Sequence, residues 1–161
     1  IQNIERSAAM RVERDLWQSL TQLWEDFKLD EVFQQEGAQV GAIVLWEAEV
    51  PPGAALPYCV VENLSYSVAG RSSGSGRGVR GFCEVREYVL RIHLFAGSRS
   101  SVTRLGESIQ RAFRSCKGAL PGSQAAVILM ELVEGLVIKE EVGSYHGVLQ
   151  YKAVTDVCLE K

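Results

Sequence analysis

No apolar run in this 161-residue chain approaches the roughly 20 residues that a helical membrane span needs. The stretch from Ile1 to Met10 also lacks the basic cluster and apolar core of a secretory signal, so the expected compartment is the cytosol. Basic residues are in deficit. Lys and Arg number 17 against 20 Asp and Glu, a net charge of −3, and the positive excess that duplex binding relies on is missing. Sequence-specific binding of DNA or RNA is not expected. Cysteine is sparse, and Cys59, Cys83, Cys116 and Cys158 lie too far apart for a zinc knuckle or a redox motif; they read as reduced core residues. Histidine is scarcer still: His93 and His146 each lack a second histidine or an acid at metal-ligand spacing on their local face, and read as packed or surface side chains.

What the chain does contain is ordinary globular material. With 47% hydrophobic and 23% charged residues, the composition rules out disorder and favours one compact core, so residues 1–161 are read as a single domain. From about residue 8 to 33, Leu16, Leu20, Leu23 and Phe27 recur at helical steps with Trp17 and Trp24 on the adjoining stripe, which predicts one amphipathic helix. Val40 to Trp46 reads as a short strand, and a second follows the Pro51-Pro52-Gly53 break at Tyr58 to Val68. Residues 70–81, too rich in Gly and Ser to bury anything, are expected to form a mobile loop. Alternation over Tyr88 to Phe95 then predicts a long strand within Phe82 to Phe95. Ser98 to Ser101 offer N-caps for a second helix at about 99–116, in which Val102, Leu105, Ile109 and Phe113 share a face. Two strands around Gly135, at 126–134 and 136–142, and a closing strand at 145–159 complete the order α, β, β, β, α, β, β, β. This order favours an α+β fold: a mostly antiparallel sheet with two helices packed on one face.

Three apparent motifs crowd the glycine loop. Gly70-Arg71-Ser72-Ser73-Gly74 fits the G-x-S-x-G of a nucleophile elbow, yet that chemistry requires a sharp strand-to-helix turn and a downstream acid and histidine. Gly76-Arg77-Gly78-Val79-Arg80-Gly81 fits G-x-G-x-x-G, but a dinucleotide site needs those glycines to open a helix, and a strand follows. What remains is Arg71, Arg77 and Arg80 on an adaptable backbone, a suitable partner-contacting segment. Glu47 with Glu49 and Glu140 with Glu141 read as solvated charges, because neither pair has a metal motif or a partner acid. No catalytic constellation, cofactor motif or metal motif emerges, so the chain is read as a non-enzyme.

The layout resembles that of small tail-completion or tail-terminator proteins of tailed bacteriophages and prophages. The resemblance rests on four pieces: the N-terminal helix; the proline before a strand in Pro57-Tyr58-Cys59-Val60-Val61; the strand running directly into a helix from Ile92 through Ser98 to Phe113; and the closing strand His146-Gly147-Val148-Leu149-Gln150-Tyr151. It implies a virion structural subunit that assembles into a ring, commonly six-fold, closing the tail tube and joining it to the head. The implied partners are further copies of itself, the tail-tube protein and a head-completion or connector protein, without a membrane or a cofactor. The implied location is the host bacterial cytoplasm during assembly, then the head-proximal end of the tail. A neck or tail-tube subunit of similar architecture fits the same layout. The alternative from another class is a small cytosolic α+β enzyme or ligand-binding protein whose pocket is assembled from residues distant in sequence.

Overall fold

A computed structural model describes residues 11–73, 82–116, 118–119 and 125–159. Helix α1 (Arg14–Asp26) starts where the Glu13 side chain accepts a hydrogen bond from the Leu16 amide, and it buries Leu16, Leu20 and Trp24 along one stripe. The single helix expected through residue 33 is broken. Lys28 adopts the left-handed conformation (φ 52°), and the chain turns there into a separate short helix, α2 (Leu29–Gln35). A non-glycine residue in that conformation costs about 1–2 kcal/mol. Burial of Leu29 and Phe33, the Trp24–Phe33 ring contact at 5.3 Å and a 2.7 Å hydrogen bond from Trp24 Nε1 to Asp30 offset it. A straight helix would have pointed these groups away from the core.

The sheet is α+β in class and mostly antiparallel. Its strands are β1 (Leu45–Glu47), β2 (Tyr58–Ser73), β3 (Phe82–Ala96), β4 (Gly118–Ala119), β5 (Ala125–Glu141) and β6 (Ser144–Leu159), in the spatial order β1-β2-β3-β6-β5-β4. Among the described strands only β1 pairs in parallel, with Leu45 opposite Cys59. The strand expected over Val40 to Trp46 therefore contracts to three paired residues. Strand β2 instead runs further than expected: Gly70 to Ser73 pair with Val85 to Phe82 rather than opening a loop. This ladder places Ser72 within a strand, opposite Cys83, and not on a sharp strand-to-helix turn; the rest of the expected loop, residues 74–81, lies outside the described residues. The two strands expected around Gly135 are one strand, β5, with register shifts between Leu132 and Glu134 and between Glu134 and Val137. Gly135 is absorbed as an irregularity because β6 supplies an unbroken partner along the whole length.

Between Arg99 and Arg114 lies helix α3, capped by Ser98, whose side chain accepts from the Ser101 amide. Its buried face (Val102, Leu105, Ile109, Ala112 and Phe113) packs on Leu90, Ile92 and Leu94 of β3 and Leu149, Tyr151 and Ala153 of β6. Alternation along each strand then sends the intervening side chains to the face away from the helices. Two glycines let α3 sit close to the sheet. A methyl group on Gly147 would lie 2.4 Å from Val102 Cγ1, and one on Gly106 would lie 3.0 Å from Leu136 Cδ2.

One cysteine reading is corrected. Cys59 and Cys116 are buried free thiols, but Cys83 is disulfide-bonded. The β3–β6 register sets Cys83 opposite Cys158, a juxtaposition invisible in the spacing along the chain.

Candidate functional site

The outer face of the sheet, opposite the helices, gathers the only two histidines of the chain. Along β3, Leu90, Ile92 and Leu94 point into the core, so Arg91, His93 and Phe95 point outward. Along β6, Gly147 and Leu149 face the core and His146, Val148 and Gln150 face out. The register pairs Phe95 with His146 and His93 with Val148, which makes the two imidazoles diagonal neighbours. His93 Nδ1 lies 2.8 Å from His146 Nε2. The other nitrogen of each ring meets a carboxylate: His93 Nε2 lies 2.9 Å from Glu62 on β2, and His146 Nδ1 lies 2.9 Å from Glu141 on β5.

The result is a continuous chain, Glu62···His93···His146···Glu141, that crosses all four long strands. Aromatic rings flank it. Phe95 stacks on His146 at 4.2 Å with only 13° between the planes, and Tyr58 stacks on Phe95 at 5.0 Å. Burial presses His93 toward its neutral form and pulls its pKa down, aided by the charges of His146 and Arg91, while the hydrogen bond and charge of Glu62 act in the opposite sense. Tyr58 is shifted up by burial and by the negative charge of Glu141.

Beside the histidines is a depression of about 320 Å³ whose walls include Arg91, Lys139, Glu134 and Gln150. Arg91 reaches Gln150 at 3.4 Å. A second depression, of about 330 Å³, lies between the first two helices and residues 41–45, where Trp24, Glu25 and Asp30 form part of the wall. Among the described residues, no group of three or more His, Cys, Asp or Glu converges in a way that could hold a metal ion.

The residues singled out in the sequence fare differently. Of the three arginines, Arg71 has its backbone in β2 opposite Glu84, while its side chain, and all of Arg77 and Arg80, lie outside the described residues. Glu47 is not simply a solvated charge: it accepts from the Val12 amide at 3.0 Å and pairs with Arg11 at 3.5 Å, tying the chain before α1 to β1. Glu141 is likewise engaged, by His146. The histidine chain itself had no sequence signal, because its members come from four strands and none lies within four residues of another. The outward alternation of β3 marks His93 as facing away from the core, but its partners are set only by strand order.

No family model matches the chain, and no curated protein does. Among solved structures, a chain from the virion of a native gene transfer agent (GTA) particle is similar, with 19% identity and a TM-score of 0.45 over 78% of this chain and 91% of that one.

Proposed function

We propose that this chain is a virion structural protein, a tail-completion or tail-terminator subunit that assembles edge to edge into a ring closing the tail tube and joining it to the head. The observation that carries the reading is the pair of open sheet edges. Among the described residues, β1 covers only Cys59 to Val61 of β2 and β4 covers only Ala126 and Val127 of β5, so both long outer strands offer unpaired backbone over most of their length. Natural sheets usually blunt such edges with charge. Here Leu64, Tyr66 and Val68 on β2 are exposed, and on β5 Leu129, Leu132, Val133 and Val137 are exposed between the charged Glu131, Glu134, Lys139, Glu140 and Glu141.

Direction matters as much as exposure. The four long strands alternate, so β2 and β5 run opposite ways. A neighbour related by simple rotation would therefore bring its β2 antiparallel to this β5, the pairing geometry already used inside the subunit. The two edges are different surfaces, as a closed head-to-tail ring requires. At about 4.8 Å per strand, six such subunits would form a belt about 115 Å around and about 37 Å across at the backbone, before strand tilt widens it. The proposed partners are further copies of the chain, a tail-tube protein and a head-completion or connector protein. Arg71, Arg77 and Arg80 are proposed to contact one of them. The proposed location is the host cytoplasm during assembly and then the head-proximal end of the tail, and the role is not enzymatic.

The test uses native mass measurement and negative-stain electron microscopy of the full chain alone and mixed with tail tubes. A closed ring with a central hole is expected. Val68→Lys and Val133→Lys each spoil one edge: either variant alone should stay monomeric with its unfolding temperature retained, whereas a mixture should stop at a heterodimer through the two intact edges. Rings that survive both substitutions would overturn the edge-pairing geometry. A chain that stays monomeric even with tubes present would overturn the ring reading and move attention to the depression beside His93.

A further inference from the structure

The histidine chain carries a proton count that does not close with neutral rings. A carboxylate offers only lone pairs, so His93 Nε2 and His146 Nδ1 must each hold a proton to donate to Glu62 and Glu141. Each neutral imidazole has just one proton. His93 Nδ1 and His146 Nε2 would then face each other as two lone pairs at 2.8 Å, a contact that is attractive only with a hydrogen between them. Placing a proton on a glutamate instead does not change the sum: three hydrogen bonds in a row need three protons, one more than two neutral rings bring.

We propose that this is a proton-binding site, a clasp in which Glu62, His93, His146 and Glu141 hold one shared extra proton and thereby strap β2, β3, β6 and β5 together on the outer face. Removing the proton sets lone pair against lone pair. Adding a further one sets two N–H groups against each other and two positive charges in adjoining rings. The clasp therefore closes between two protonation steps and opens on either side of them.

Its setting fits that role. With three protons the four groups sum to a single negative charge. The side chains of His93 and His146 are only 18% and 16% exposed, which slows exchange of the shared proton with water without isolating it. The remaining charged and titratable groups nearby are Arg91 on β3, Lys139 and Glu134 on β5, and Tyr58 on β2. On His93, burial first and then the charge of Arg91 oppose an extra proton, while the hydrogen bond and charge of Glu62 favour it, so the clasp is carried by the geometry of the three contacts. The inference stands apart from the assembly reading, since it concerns bonds within one subunit.

Nitrogen-detected NMR of imidazole signals, followed from pH 5 to pH 9 on the full chain, tests it directly because these two are the only histidines present. Expected are Nε2–H on His93, Nδ1–H on His146, and a strongly deshielded shared proton that is present only between two separated protonation steps of the pair. In His146→Gln the amide can donate to His93 Nδ1, so the need for the extra proton disappears; the deshielded signal and one step should vanish while the circular dichroism spectrum is retained. In Glu62→Gln the acceptor is kept but the charge is lost, and the pH at which the shared proton leaves should fall by about one unit or more. Two rings that titrate independently at one ordinary midpoint, or a Glu62→Gln profile identical to that of the unaltered chain, would overturn the proposal.

Discussion

Gly147 is where the outer-face site and the core meet within two residues: His146 points outward, and the next residue must let α3 approach from behind. Gly147→Ala would place a methyl 2.4 Å from Val102 Cγ1 and 3.0 Å from Leu136 Cδ1. Val102 is fully buried on α3 and has a stiff branched side chain, so it cannot swing aside. Overpacking of this kind costs about 1–3 kcal/mol. Val102→Ala alone removes two buried carbons and leaves a small void, a loss of about 1.5–2.5 kcal/mol. Together the changes should compensate, because the new methyl occupies the space the valine vacated; only the milder Leu136 contact remains. A double-mutant cycle by urea denaturation should therefore give a coupling of at least about 1 kcal/mol, and in thermal melts the double variant should recover about 2–4 °C per kcal/mol relative to the sum of the singles. Losses that simply add, within about 0.5 kcal/mol, would show that α3 does not bear on β6 at this point.

Two further predictions concern the helices. Lys28→Gly should raise stability by about 1 kcal/mol in chemical denaturation, because glycine adopts φ 52° without the steric cost a lysine carries; a loss would mean that the turn is not left-handed there. Glu36 joins α2 to α3, accepting from Ser101 Oγ at 2.8 Å and from Arg104 at 2.7 and 2.9 Å, and its carboxyl is held below the ordinary glutamate pKa chiefly by the Arg104 hydrogen bond. A depressed pKa gives stability that is present above the unfolded-state value and lost as pH falls through the folded one. The advantage of the unaltered chain over Glu36→Gln should thus be constant above about pH 4.3, the ordinary glutamate value, and shrink below it; an advantage independent of pH down to pH 2 would contradict the pairing.

Much of the local structure is legible in the sequence. The stripe Val102, Leu105, Ile109, Phe113 specifies α3 and its buried face because a helix repeats every 3.6 residues. The alternation from Tyr88 to Phe95 specifies both β3 and which of its side chains leave the core, since strand period is two. The order of helices and strands is enough for the α+β class. Where local signals mislead, the tertiary structure supplies the reason. The stripe of α1 ends at Phe27, and on a straight helix Leu29 and Phe33 would fall on the opposite side; the left-handed turn at Lys28 that buries them carries no periodic signal of its own. Glycines at 70 and 135 look like chain breaks, and both are carried through as strand by an uninterrupted partner.

The candidate site belongs wholly to the tertiary structure. His93 and His146 are separated by 53 positions, and Glu62 lies 31 from His93, so no window of sequence contains the chain they form. The same holds for Cys83 and its register partner. Side-chain type and strand period decide what faces outward; only the insertion of β6 between β3 and β5 decides what it faces. That insertion is set by which long strands bury the apolar face of α3 together, a choice made by the packed core and not by any residue of the site.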